Sequence, residues 1–161
     1  MRLRYLVPGL LLLAPSTVYL GQLAARELAY RLYHGSVSVP GCELVIPKLH
    51  LREPINAISP DYGVYYDPET PEPGERGITI LYGHRTLFGS PFRRLNELER
   101  GDEVIVYWFG RRYVYRVYEK EVMNPDARVD PYGVDRDELW LVTCAPLWSS
   151  SERLVVKCAR G

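Results

Sequence analysis

The chain lacks net charge: its 161 residues carry 20 lysines and arginines against 20 aspartates and glutamates. A nucleic-acid binder normally shows a basic excess, so that class of partner is excluded. Cysteine is sparse, and Cys42, Cys144 and Cys158 show no Cys-x-x-Cys spacing, which argues against a zinc site. No tight cluster of aspartate and glutamate makes a persuasive calcium site either. No metal and no cofactor is expected. Internal repeats and low-complexity tracts are absent, and the length leaves room for one main domain.

What is abundant is tyrosine, with 13 in the chain, a residue that favours strands over helices. The expected class is all-β. Strand patterns run over Glu43–Lys48, a short piece within Leu49–Ile58, Gly77–Gly83, Glu103–Phe109, Arg112–Met123, Leu139–Thr143 and Arg153–Lys157. Gly110, between Tyr107-Trp108-Phe109 and Arg111-Arg112-Tyr113, reads as a hairpin turn. Two proline-bearing loops stand out, Asp67–Arg76 and Asn124–Asp137. The second is long enough without regular structure to imply a use.

At the N-terminus no charged residue occurs from Tyr5 to Ala25. As a helix this stretch would span about 31 Å, close to the hydrocarbon thickness of a bilayer. It reads as a single membrane anchor rather than a cleavable signal, because Ala14-Pro15-Ser16 is a poor small-x-small site. Gln22–Tyr33 then has helical spacing and ends at His34-Gly35, as a stalk or as a helix packed on the domain. The expected organisation is an anchor and stalk over 1–33 and a β domain over 34–161. The expected location is the cell membrane, crossed once, with the domain outside.

Side chains two apart share a face of a strand. Trp140, Val142 and Cys144 share one, as do Ile78, Ile80, Tyr82 and His84, and as do Arg153, Val155 and Lys157. Cys144 closes its apolar strand, His84 follows the end of another, and Arg153 opens a third. Rims of sheets are where scaffolds expose reactive groups. A thiol, an imidazole and a guanidinium supply a sulfur nucleophile, a proton carrier and a fixed cation, a set suited to attack on a peptide carbonyl. His34 and His50 have no such setting and are expected to pack at a surface or interface.

In these residues the chain resembles the sortases, membrane-anchored cysteine transpeptidases built on a closed β-barrel. Their Thr-Leu-x-Thr-Cys element is met by Leu139-Trp140-Leu141-Val142-Thr143-Cys144, with Trp140 in place of the leading threonine. Their Gly-His element is met by Tyr82-Gly83-His84-Arg85, and their downstream arginine by Arg153. Glu43–Lys48, Ser90–Leu95 and Leu98–Val104 are also similar, and the overall look is closest to classes D and E. The resemblance implies a barrel of about eight strands with short helices, preceded by the membrane or stalk helix. It implies His84, Cys144 and Arg153 as catalytic residues, and a thioacyl intermediate formed by cleavage after a threonine-like residue. The partners it implies are secreted proteins bearing a C-terminal sorting signal and an amine acceptor on the cell wall or a pilin.

The Asn124–Asp137 loop corresponds to a wall of the family's peptide groove. Thr143, Val142, Asn124, Pro125, Tyr132 and Trp148 are therefore the expected substrate-binding residues. Export permits a disulfide, and Cys42 with Cys158 is the pairing that spares Cys144. Papain-like order is excluded, since His84 precedes Cys144, and nothing like the Ser-His-Gly-x-x-Cys element of L,D-transpeptidases surrounds Cys144. From another class, a membrane-tethered β-barrel binding module with a structural Cys144 stays open.

Overall fold

The computed structural model describes residues 6–145 and 151–161, with side chains from residue 16 onward. One helix, α1 (Leu6–Tyr33), precedes eight strands: β1 (Ser38–Ile46), β2 (Leu51–Asn56), β3 (Val64–Tyr66), β4 (Gly77–Tyr82), β5 (Glu103–Trp108), β6 (Arg111–Met123), β7 (Asp137–Ala145) and β8 (Glu152–Arg160). They close into a barrel in the order β1-β2-β3-β4-β7-β8-β6-β5, and β5 pairs back onto β1. Two pairings, β2 with β3 and β4 with β7, are parallel. The all-β barrel of about eight strands expected from the sequence is the one observed.

Side-chain alternation sorts the residues as the sequence pattern requires. Leu81 of β4, Leu139 and Leu141 of β7, and Leu154, Val156 and Cys158 of β8 join the barrel interior. Ile78, Ile80, Trp140, Val142 and Val155, on the opposite faces of the same strands, form a second apolar cluster outside the barrel. A strand covered on both faces needs a nearly continuous apolar sequence, and Leu139–Val142 provides it. The outer cluster is roofed by Val129 and Val134 of the 124–136 segment. That segment is stitched to β4 by hydrogen bonds from the Ile78 N–H to the Pro131 carbonyl and from the Gly77 N–H to the Arg136 carbonyl. Gly77 allows the close approach: its φ is +119°, and a Cβ there would lie 2.6 Å from the Pro131 oxygen.

The hairpin at Gly110 forms, with Phe109 and Gly110 both at positive φ, the two-residue geometry that matches strand twist. β3 went unnoticed in the sequence pattern because three residues are too few to alternate. Cys42 and Cys158 are both free and buried, so the disulfide that export would permit is not formed. They belong to β1 and β8, with β5 and β6 between those strands in the barrel. The Cys42 Sγ instead accepts from the Phe109 N–H at 3.4 Å, and burial pushes the Cys158 thiol well up.

Although Val18, Tyr19, Leu20, Leu28 and Leu32 are exposed, the C-terminal end of α1 rests on the barrel. The His34 Nδ1 lies 2.9 Å from the Tyr62 carbonyl and its Nε2 lies 3.1 Å from a Glu53 carboxylate oxygen. Among the described residues no helix is long and apolar enough to cross a membrane.

Several tyrosines are neutral struts. Tyr115 is fully buried, donates to an Asp137 carboxylate oxygen at 2.9 Å and accepts from the Gly74 N–H at 3.2 Å. Burial, followed by the Asp137 charge, pushes its phenol far up. Burial and then Glu72 push Tyr66 up to about 12. In the unfolded chain tyrosine ionises near pH 10, so these phenols contribute stability that is complete below about pH 10. It is lost as pH rises toward about 12, because the unfolded state then releases protons that the folded state retains. Urea denaturation followed across this range should show stability falling from about pH 10 upward. Tyr115→Phe, which leaves Gly74 and Asp137 short of a partner, should cost about 1–3 kcal/mol at neutral pH.

Candidate active site

The parallel register of β4 on β7 pairs Ile80 with Trp140 and Tyr82 with Val142. It continues past the end of β4, where the Gly83 N–H donates to the Val142 carbonyl at 3.2 Å and the Thr143 hydroxyl donates to the Gly83 carbonyl at 2.7 Å. His84 follows two residues after the end of β4, at the same end of the β4–β7 pair as Cys144. On the other side of β7 the antiparallel register of β8 pairs Cys144 with Arg153. Cys144 and Arg153 are thus cross-strand neighbours, His84 lies just beyond the end of β4 on the other side of β7, and all three are partly exposed.

His84 is fixed from two directions. Its Nε2 is 2.9 Å from an Asp61 carboxylate oxygen, so Nε2–H donates to the carboxylate. Nδ1 is then the ring atom left to accept or release the mobile proton. The Phe88 ring packs on the imidazole with centroids 4.9 Å apart. Phe88 and Ser90 both hold positive φ, conformations that cost about 1–3 kcal/mol each for non-glycine residues and that cluster at functional sites. Asp61 gave no sequence signal. It lies in a short turn, Pro60–Tyr62, whose N-terminal residue Ser59 caps the Asp61 N–H, and its proximity to His84 depends on the barrel's closure.

A groove of about 410 Å³ runs along the outer apolar cluster; of the three residues Arg153 lines it, while His84 and Cys144 do not. Ile80, Tyr82, Trp140, Val142 and Val155 form its floor, and Arg153 stands at the end next to Cys144. The guanidinium acts on the Tyr82 phenol, which burial and then Asp67 push up and which Arg153 draws partly back. Asn124, Pro125 and Tyr132 contribute to one wall, so these three and Val142 are brought together. Asp67, Glu69 and Thr70 form another. Thr143 does not line the groove. It is buried on the interior face of β7, one residue out of phase with Val142 and Cys144, where its hydroxyl fixes Gly83. Trp148 lies outside the described residues.

Trp140 is the most constrained residue of the floor. Its indole N–H donates to Glu138 at 2.8 Å and the Lys157 ammonium sits 4.9 Å over its ring. Lys157 is in turn ion-paired to Glu119 and Glu121. Burial pushes the Glu138 carboxyl up, but hydrogen bonds from Trp140, Tyr118 and Arg136 outweigh it and leave the group below its ordinary value. A charged Glu138 thus anchors the indole edge while Lys157 caps its face.

Comparison with known proteins agrees with this geometry. Sortase D of Bacillus subtilis (strain 168) is 30% identical over 108 residues, which cover 64% of this chain and 53% of that protein. Sortase SrtE1 of Streptomyces coelicolor is 29% identical over 85 residues, covering 47% of this chain and 24% of that one. The chain thus matches about half or less of the length of these relatives. Among solved structures, Streptomyces coelicolor sortase E1 with a tripeptide in its active site has a TM-score of 0.66 and 29% identity, covering 77% of this chain and 91% of that one. Sortase C1 of Streptococcus agalactiae has a TM-score of 0.68 and 28% identity, covering 74% and 66%. A family model described as Sortase domain matches residues 37–160, a span that takes in the whole barrel together with His84, Cys144 and Arg153, and the chain belongs to the sortase family.

Proposed function

We propose that the protein is a sortase-type cysteine transpeptidase that cleaves a C-terminal sorting motif after a threonine-like residue and transfers the acyl part to an amine. The observation that carries this reading is the cross-strand pairing of Cys144 with Arg153, which lines an apolar groove, with His84 following the neighbouring strand β4. A relative of similar fold, sortase E1, is described with a tripeptide in its active site, which supports peptide as the ligand class.

The extended substrate lies along β7 and β8 with apolar side chains on Trp140, Val142 and Val155, and its scissile carbonyl reaches Cys144. The thiolate is the competent nucleophile, and His84 takes the thiol proton. Sulfur adds to the carbonyl carbon, and the resulting oxyanion is met by the Arg153 guanidinium, which stays charged and donates in a fixed fork. The tetrahedral intermediate collapses by breaking the C–N bond while His84 returns the proton to the leaving amine. A thioester remains on Cys144. An incoming amine adds to it, gives its proton to His84, and forms an amide as the C–S bond breaks and the thiolate is regenerated. The acceptor class is an N-terminal or lysine amine of a wall component or pilin. The uncharged stretch Tyr5–Ala25 supports a cell-surface location with the barrel outside and residues 1–33 as tether. A reading as a binding module with a structural Cys144 is less favoured, since the thiol is partly exposed and stands across from Arg153.

Incubation with a sorting-signal peptide should give a thioacyl adduct visible by mass spectrometry, and Cys144→Ala should abolish it; an adduct that persists in that variant sinks the reading. Arg153→Ala should lower kcat by about 10²–10³-fold, the usual loss for an oxyanion donor, and unchanged turnover would remove Arg153 from the mechanism. Trp140→Ala should raise KM for the peptide by roughly 10- to 100-fold, the equivalent of about 1.5–3 kcal/mol of apolar burial, while the alkylation rate of Cys144 stays as in the wild type.

A further inference from the structure

Three residues at the end of α1 fasten the two segments that flank His84. A Glu27 carboxylate oxygen accepts from the Phe88 N–H at 3.2 Å. Tyr30 packs so closely on the same turn that a Cβ at Gly89 would lie 2.1 Å from its hydroxyl. One turn further along the helix, the His34 ring sits on the other segment, with Nδ1 2.9 Å from the Tyr62 carbonyl. The ring is braced by Tyr30, with centroids 4.6 Å apart, and by Glu53 of β2. Each fastened segment supplies one of the two contacts on His84 described above: Phe88 packs on the imidazole face and Asp61, next to Tyr62, binds Nε2.

We infer that the end of the N-terminal helix belongs to the catalytic apparatus, with Glu27 and His34 as positioning residues that act on His84 through Phe88 and Asp61. The inference rests on the reading of His84 as the proton carrier. No residue between His84 and the helix is a long flexible side chain. From Glu27 the path is one hydrogen bond to the backbone of Phe88 and one ring contact. From His34 it is one hydrogen bond to Tyr62 and the carboxylate of its neighbour in a single turn. The turn containing Phe88 has Phe88, Gly89 and Ser90 in the left-handed region, a conformation that persists only where its surroundings over-determine it, and the Glu27 carboxylate and Tyr30 ring are part of those surroundings. A helix that leads toward the N-terminus is thereby coupled to the orientation of the group that moves the proton. Docking and undocking of that helix would switch turnover without touching the peptide groove, which lies on β4, β7 and β8.

The test uses the full chain with Glu27→Ala, Glu27→Gln and His34→Ala. Glu27 is also ion-paired to Arg31 at 3.5 Å on the exposed side of the helix, and its replacement leaves the core intact, so the experiment does not depend on His34→Ala folding. Expected are a kcat for the sorting peptide lowered about 10- to 100-fold by Glu27→Ala and His34→Ala, the range for misplacement of a reacting group, with KM within about twofold. Glu27→Gln, whose amide oxygen still accepts from Phe88, should restore most of the rate. Without any substrate, the ¹H–¹⁵N signals of the His84 imidazole should move in the two alanine variants and stay in place in Glu27→Gln. Unmoved imidazole signals and an unchanged alkylation rate of Cys144 in both alanine variants would overturn the inference, as would equal losses in Glu27→Gln and Glu27→Ala. A wild-type protein that turns over no sorting peptide overturns the transpeptidase reading instead, and the imidazole signals are read independently of it.

Discussion

The site depends on one parallel pairing. β4 and β7 are far apart in sequence and run side by side, with residue 82 level with 142. The Thr143 hydroxyl extends that register one residue beyond the strand by holding the Gly83 carbonyl. A slip by one residue would turn His84 or Cys144 to the opposite face. The buried floor opposes such a slip, because Ile78, Ile80, Trp140 and Val142 would all have to change faces together. The register that places Cys144 and Gly83 is thus held by apolar area away from them.

That same area serves a second purpose. β4, β7 and β8 are covered inside by the barrel core and outside by the cluster that continues into the groove. The groove floor is therefore a second core left partly unroofed, and a bound peptide would complete its cover. Trp140 makes the floor rigid, with Glu138 at its edge and Lys157 over its face. Asp61 and Phe88 set the ring of His84, and the segment 124–136 is tied to β4 through backbone hydrogen bonds. Strands carry Cys144 and Arg153, and tethered loops carry the groove walls.

Much of this was legible in the sequence, for a physical reason. Strand alternation has period two, so the shared faces of Trp140, Val142 and Cys144, of Ile78, Ile80 and Tyr82, and of Arg153, Val155 and Lys157 could be assigned before any pairing was known. The same alternation, applied one step further, excludes Thr143 from the groove, since it is out of phase with Cys144. Asp61 was not legible. It sits in a loop turn with no periodicity, and its approach to His84 is a product of barrel closure. Nor was the acidic wall of Asp67 and Glu69 visible, because a proline-rich loop declares its lack of regular structure but not the side of the barrel it crosses. The end of α1 was ambiguous for a related reason: amphipathic spacing describes a face, and what covers that face is a tertiary fact. The state of Cys42 and Cys158 was not legible either, since sequence gives no separation between two cysteines, and both are free and buried.

The absence of that disulfide has a consequence for how the protein can be handled. Cys42 and Cys158 are buried, and the Cys158 thiol is held far from ionisation, while Cys144 is the one cysteine of the chain open to solvent. A folded sample therefore presents a single accessible sulfur. Titration with a thiol reagent under native conditions counts competent sites rather than cysteines, and the same titration in denaturant counts all three. The ratio of the two measures the folded fraction of a preparation with no substrate in hand.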